Sequence, residues 1–139
     1  MPALDQFHFP VRNALIKDGW TITDDPLQLI IGKRTLAVDL GAERTLLGAV
    51  RDKKLIAVEI KTFGGPSPVA DLQQAIGQFL MYKSILSEAE PNRKLYLAVS
   101  EEVRDSILQE ELGQLMLREH IRQLFYFSVE REEIIEWRS

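Results

Sequence analysis

Leu55-Ile56-Ala57-Val58-Glu59-Ile60-Lys61, closed soon after by Gly64-Gly65-Pro66-Ser67-Pro68, is the stretch on which the fold turns. It has the length and apolar character of a buried strand, interrupted by a single carboxylate. Strand alternation sets Ile56, Val58 and Ile60 on one face and Ala57, Glu59 and Lys61 on the other. A carboxylate there is costly to bury unless it is paired or holds a metal. The glycine and proline cluster ends the strand, and Pro68 opens a helix, because proline's missing N–H costs nothing in a first turn. That helix is expected over about Val69 to Ser87. Val69, Leu72, Ala75, Ile76, Phe79, Leu80 and Leu86 fall on the i, i+3, i+4 grid of a core-facing stripe.

Working back toward the N-terminus, the charged Arg51-Asp52-Lys53-Lys54 predicts a hairpin turn joining Thr45 to Val50 with Leu55 to Ile60. Leu36 to Leu40 predicts a further strand, with Leu36, Val38 and Leu40 on one face and Ala37 and Asp39 on the other. If this strand neighbours Leu55 to Ile60, Asp39 and Glu59 share a face, whereas a register slip of one residue would part them. Earlier still, Phe7 to Lys17 carries Val11, Ala14 and Leu15 at helical spacing, with Asp18-Gly19 as its stop. Trp20 to Thr23 and Leu27 to Ile31 read as strands on either side of the break Asp24-Asp25-Pro26.

Toward the C-terminus, Leu95 to Val99 suits a buried strand, and Glu101 to Arg118 suits a second long helix. Gln123 to Val129 and Ile134 to Trp137 read as two closing strands. The expected fold is therefore α/β (α+β), a mixed β-sheet flanked by helices.

Composition narrows the functional classes. A chain of 139 residues, 45% hydrophobic and 27% charged, is expected to form one domain over residues 1–139. Cysteine is absent, which excludes disulfides, thiolate metal sites and cysteine nucleophiles. No apolar run approaches the ~18 residues of a membrane span, and the first ten residues lack the basic and apolar regions of a signal peptide, so a cytoplasmic protein is expected. The net charge of −4 argues against coating nucleic acid by bulk electrostatics. A local basic groove stays open, with Lys33, Arg34, Arg51, Lys53, Lys54 and Lys61 as one wall; the alternative is a solvated charged hairpin.

Asp39, then 19 intervening residues, then Glu59-Ile60-Lys61 is a sensible kit for phosphodiester hydrolysis. Mg2+ takes oxygen ligands, usually one or two carboxylates completed by water and substrate phosphate. Asp39, Glu59 and the backbone carbonyl of Ile60 are the expected ligands for Mg2+ or Mn2+. Lys61 is expected to position or activate the attacking water and to offset charge in the transition state. The structural alternatives are a strand-ending aspartate and an exposed Glu59/Lys61 ion pair. His8 reads either as a helper near the first helix or as a surface or capping residue.

Val38-Asp39 with Glu59-Ile60-Lys61, followed by a helix, resembles the pattern of the PD-(D/E)XK nuclease superfamily, and implies a restriction endonuclease-like core. Gln78-Phe79-Leu80-Met81-Tyr82 matches the Gln-x-x-x-Tyr element of its RecB-like branch, which implies that Gln78 and Tyr82 stand near the scissile phosphate. Two features depart from the superfamily pattern. Val38 replaces its proline, and the acid expected in the first helix has no counterpart, since Asp5 precedes that helix and Asp18 ends it. Over nearly the whole chain, Asn13 to Thr23, Val38 to Glu43, Ile56 to Phe63, Gln73 to Gln78 and Leu95 to Val99 look like XisH, the fdxN element excision controlling factor family of cyanobacteria. That resemblance implies a role in excising a DNA element beside a site-specific recombinase and an XisI-like protein.

Two functions follow as expectations. One is a Mg2+-dependent DNA endonuclease. The other is a catalytically silent module that binds DNA or a partner and regulates recombination. A nuclease this short would need a homodimer to cut both strands. The apolar hairpin of Leu124 to Phe127 with Ile134 to Trp137 is the candidate surface for it, with ordinary core packing as the alternative.

Overall fold

The computed structural model describes residues 5–45 and 53–139. A six-stranded mixed sheet forms the middle layer, built from β1 (Thr21–Asp24), β4 (Leu40–Thr45), β5 (Lys53–Ile60), β6 (Arg93–Ser100), β7 (Leu124–Ser128) and β8 (Glu133–Arg138), in the spatial order β1-β4-β5-β6-β7-β8. β5, β6 and β7 run parallel, while the β1/β4, β4/β5 and β7/β8 pairs are antiparallel. A separate antiparallel hairpin joins β2 (Leu27–Ile31) to β3 (Arg34–Val38).

Side-chain alternation divides the core into two layers. Ile56, Val58 and Ile60 of β5, Tyr96 and Ala98 of β6, and Phe125 and Phe127 of β7 face helix α1 (His8–Lys17), packing on Val11 and Leu15. Ala57, Leu95, Leu97, Val99, Leu124 and Tyr126 face helix α2 (Pro68–Ala89), meeting Leu72, Ala75, Phe79 and Leu86. Helices on both faces explain why β5 and β6 read as continuous apolar runs. Of the helical stripe expected for α2, Val69 and Leu80 lie exposed, and Tyr82 and Ile85 complete the buried face. Ser67 caps α2, its Oγ accepting from Ala70 N–H at 3.2 Å.

Helix α1 ends as its sequence requires. Gly19 takes φ +97°, a left-handed conformation, and the chain turns there with Gly19 N–H donating to Ile16 O and Trp20 N–H to Leu15 O. The turn seats Trp20 against Trp137 of β8, ring centroids 5.8 Å apart, and both indole N–H groups donate to the same Asp18 carboxylate oxygen at 3.2 Å.

Three expectations change. The strand Leu36 to Leu40 is divided at Asp39: Val38 ends β3 and faces the α2 layer, whereas Leu40 begins β4 and faces the α1 layer. Unbroken alternation would have put both on one face. The chain crosses at Asp39 from the hairpin layer into the main sheet, and the partner of β5 is Leu40–Thr45; the expected strand beyond Thr45 and the first two residues of the Arg51 to Lys54 turn lie outside the described residues. The single basic wall is not formed either. Lys53 and Lys54 open β5 and Lys61 follows its far end, about 25 Å away at ~3.3 Å per residue.

The long helix expected over Glu101 to Arg118 is broken into α3 (Glu101–Arg104), a 3-10 turn (Ile107–Gln109) and α4 (Glu111–Glu119). An unbroken 18-residue helix would extend ~27 Å. Doubling back brings Val103, Ile107, Leu108 and Leu117 into one core. The reversal depends on Gly113, where a Cβ would stand 2.1 Å from Ile107 O and 2.6 Å from Leu108 Cα. Alanine favours a helix by only ~1 kcal/mol over glycine. The backbone clash therefore wins, and Gly113→Ala is expected to cost about 2–3 kcal/mol, seen as a lower urea midpoint at unchanged slope. In the C-terminal hairpin Leu124, Phe125, Tyr126 and Phe127 of β7 are buried in the core, whereas Ile135 of the edge strand β8 lies exposed. Among the described residues, no helix is long and apolar enough to cross a membrane.

Candidate functional site

Antiparallel register sets Leu40 opposite Val58, so Asp39, in the crossing between β3 and β4, comes level with Glu59. The two acids clamp each other's backbone. Ile60 N–H donates to Asp39 Oδ2 at 2.8 Å, and Asp39 N–H donates to Glu59 Oε1 at 3.3 Å. One oxygen of each carboxylate is thereby fixed by an amide. Glu59 is 6% exposed, which sets aside the reading of a solvated ion pair.

This closeness is electrostatically costly. Burial, reinforced by the charge of Asp39, pushes the Glu59 carboxyl up to about 8, with Lys61 pulling the other way. Burial also raises Asp39, against the lowering effects of the Ile60 amide, Glu59 and the nearby His8. Such a pair holds a proton between its members unless a cation arrives.

Lys61 follows β5 on the Glu59 side and lines a cavity of about 170 Å3 together with Asp5, Thr62, Asp71 and Gln74. Tyr82 is buried, and its hydroxyl pKa is raised by burial and then by the charges of Glu59 and Asp39. Asp71, Gln74, Gln78 and Tyr82 follow one another at i+3, i+4 and i+4 along α2, so Gln78 belongs to the same stripe. Its Oε1 is buried and has no hydrogen-bond partner among the described residues. Asp39, Glu59, Lys61 and Tyr82 thus come together, and Gln78 stands on the helix face that overlooks them.

The donor set suits a hard cation: two carboxylates with the Ile60 carbonyl beside them, the rest of an octahedron left to water and phosphate oxygens. Among the described residues, no three acidic or histidine side chains gather closely enough to hold a metal by themselves.

Asp5 is the residue that sequence reasoning set aside. It lies in the turn before α1, accepts from Phe7 N–H at 2.7 Å and from the Thr62 hydroxyl, and adds its charge to the environment of Asp39. Nothing in its spacing signals this, because the contact depends on where α1 docks. Asp71 and Gln74 were legible only as polar positions on α2. His8 is neither a surface residue nor a cap. It is 2% exposed, its Nε2–H donates to Asp25 Oδ1 at 2.7 Å, and Arg12 Nε holds the other Asp25 oxygen at 3.3 Å.

The family model described as XisH protein matches residues 1–135. The crystal structure of an XisH family protein from Nostoc punctiforme PCC 73102 is similar at 36% sequence identity and a TM-score of 0.86, covering 97% of this chain and 100% of that one. That of an fdxN element excision controlling factor protein from Anabaena variabilis is similar at 36% identity and a TM-score of 0.85, covering 96% of this chain and 98% of that one. The comparison with curated proteins found no match.

Proposed function

From a chain that belongs to the XisH family, we propose a divalent-metal-dependent DNA endonuclease of PD-(D/E)XK type that acts in the excision of a DNA element, alongside a site-specific recombinase and an XisI-like protein. The excision role is carried over from the Anabaena variabilis relative, an fdxN element excision controlling factor protein. The nuclease reading rests on one observation above all: Asp39 and Glu59 are buried side by side and fixed by each other's strand, next to Lys61.

Asp39, Glu59 and the Ile60 carbonyl would hold Mg2+ or Mn2+, which would supply there the polarisation of a phosphoryl oxygen and the acidification of water. Glu59 gives up its proton to become a ligand, so ion binding releases a proton and tightens as pH rises. The Lys61 ammonium orients the attacking water and offsets the negative charge that grows on the phosphorus oxygens. Gln78 and Tyr82 position the phosphate from the α2 side, the Gln78 amide oxygen accepting from water and the Tyr82 hydroxyl donating to phosphate.

The second reading, a silent regulatory module, is favoured by the proton that Glu59 retains near neutral pH when no ion is bound. Cleavage of supercoiled, linear and branched DNA in Mg2+ and Mn2+, by the natural chain and by Asp39→Asn, separates the two. Metal-dependent cutting lost in Asp39→Asn is the expected result. No cutting of any substrate overturns the nuclease and leaves the module.

A further inference from the structure

Away from the acidic pair, three arginines line one recess. Arg118 closes α4, Arg122 lies in the link that follows, and Arg138 stands on the edge strand β8, opposite Leu124 of β7. They line a cavity of about 320 Å3 whose floor is Leu117, Ile121 and Leu124, all buried. Gln114 and Ser139, the last residue of the sequence, complete the lining, which includes no Asp or Glu. The acidic cavity shares no residue with it and lies past the C-terminal end of β5, whereas this recess opens before the N-terminal end of β7. β8 is three strands from β5, roughly 14 Å across the sheet at ~4.8 Å per strand.

Three arginines lining one recess that includes no Asp or Glu make it locally electropositive in a chain of net charge −4, and such a recess attracts anions. Their existing partners are weak. Arg118 meets Glu119 only at 3.8 Å, with both side chains more than half exposed. Arg122 Nε donates to Arg118 O at 3.3 Å, which orients the Arg122 guanidinium and neutralises nothing. Among the described residues, Arg122 and Arg138 have no ion pair.

We propose that this recess is an oxyanion site for a terminal phosphate group. Stoichiometry selects the ligand class. A phosphate monoester carries roughly −1.5 to −2 at neutral pH and offers three strong acceptor oxygens, and guanidinium forks engage such oxygens in pairs of parallel hydrogen bonds. A single carboxylate would leave two of the three cations uncompensated. The volume falls at the lower end of that of small-molecule pockets, ~300–1,000 Å3. It therefore takes a chain end or a nucleotide rather than a duplex, which lies across a surface. The apolar floor leaves room for whatever group bears the phosphate.

Calorimetric titration of the full chain with inorganic phosphate, pyrophosphate and ADP tests the site. A matched pair of single-stranded oligonucleotides, one with a 5′-phosphate and one with a 5′-hydroxyl, identifies the source. Binding of at least one phosphate probe, weakened tenfold or more in both Arg122→Ala and Arg138→Ala and unchanged in Lys83→Ala, is expected. All three positions are exposed, and unchanged circular dichroism establishes that the variants fold. A 5′-phosphate preference would assign the site to nucleic-acid ends, and equal binding of ADP would assign it to free nucleotides; either supports the proposal. Absence of binding overturns it, as does binding that survives both arginine substitutions. Capture of a poly-glutamate peptide in preference to every phosphate probe overturns it as well. The outcome is independent of DNA cleavage, because no residue of the recess belongs to the acidic centre.

Discussion

Lys61→Met is expected to slow metal-dependent DNA cleavage by about 10²- to 10³-fold, the loss typical of removing one group aimed at charge that develops in the transition state. Methionine keeps the length and the apolar stem of lysine and removes only the ammonium. The divalent ion should still bind, because Lys61 supplies no oxygen ligand. Affinity should move little in either direction: losing a nearby cation favours the ion, while the Glu59 carboxyl, deprived of the charge that pulls its pKa down, holds its proton harder. Single-turnover rates at saturating Mg2+, set beside Mn2+ affinity by calorimetry, resolve the two quantities. A cleavage rate within threefold of the natural chain would remove Lys61 from the chemistry. A rate lost together with ion binding would make it a structural support of the carboxylates.

Glu59→Gln is expected to stabilise the metal-free protein at alkaline pH. The folded chain keeps the Glu59 proton up to about 8, whereas an unfolded chain gives it up near the ordinary glutamate value of ~4.3. Between those values the folded state binds more protons than the unfolded one, so stability falls as pH rises through the window. Above pH 8 a buried carboxylate beside Asp39 costs on the order of a few kcal/mol. Glutamine has the same shape, carries no charge, and donates an N–H to Asp39 where the protonated acid donated an O–H. In EDTA at pH 9 the variant should melt roughly 5–10 °C above the natural chain, with the gap closing toward pH 5. Added Mg2+ should raise the melting temperature of the natural chain and leave the variant where it was. Equal melting at pH 9, followed by circular dichroism, would mean that the carboxylate finds compensation within the fold.

Much of this arrangement was legible in the sequence because it depends on short-range rules. The parity of β5 placed Glu59 and Lys61 on the face that meets α2, and Pro68 marked where that helix begins. Gly19 marked the end of α1. What escaped depends on how distant segments meet. The break at Asp39 was hidden because Leu36 to Leu40 alternates like one strand, and only the separate β2/β3 hairpin shows why the chain must cross there. The interruption between α3 and α4 was hidden because residues on both sides carry helical apolar spacing. Gly113, the residue that permits the close crossing, is also an ordinary tolerated glycine in a helix. Asp5 reaches the site through docking of α1, which no local pattern encodes.

The chain has two tryptophans, and both hang from one carboxylate oxygen of Asp18, on the layer that faces α1. All indole emission therefore arises from a single spot, with Tyr96 and Phe125 as close aromatic neighbours of Trp137 and the Arg44 guanidinium over Trp20. Optically the molecule is one-sided. A tryptophan-detected melt registers the loosening of α1 and β8, while ion capture by Glu59, whose carboxylate faces the opposite layer, passes without a direct optical signature.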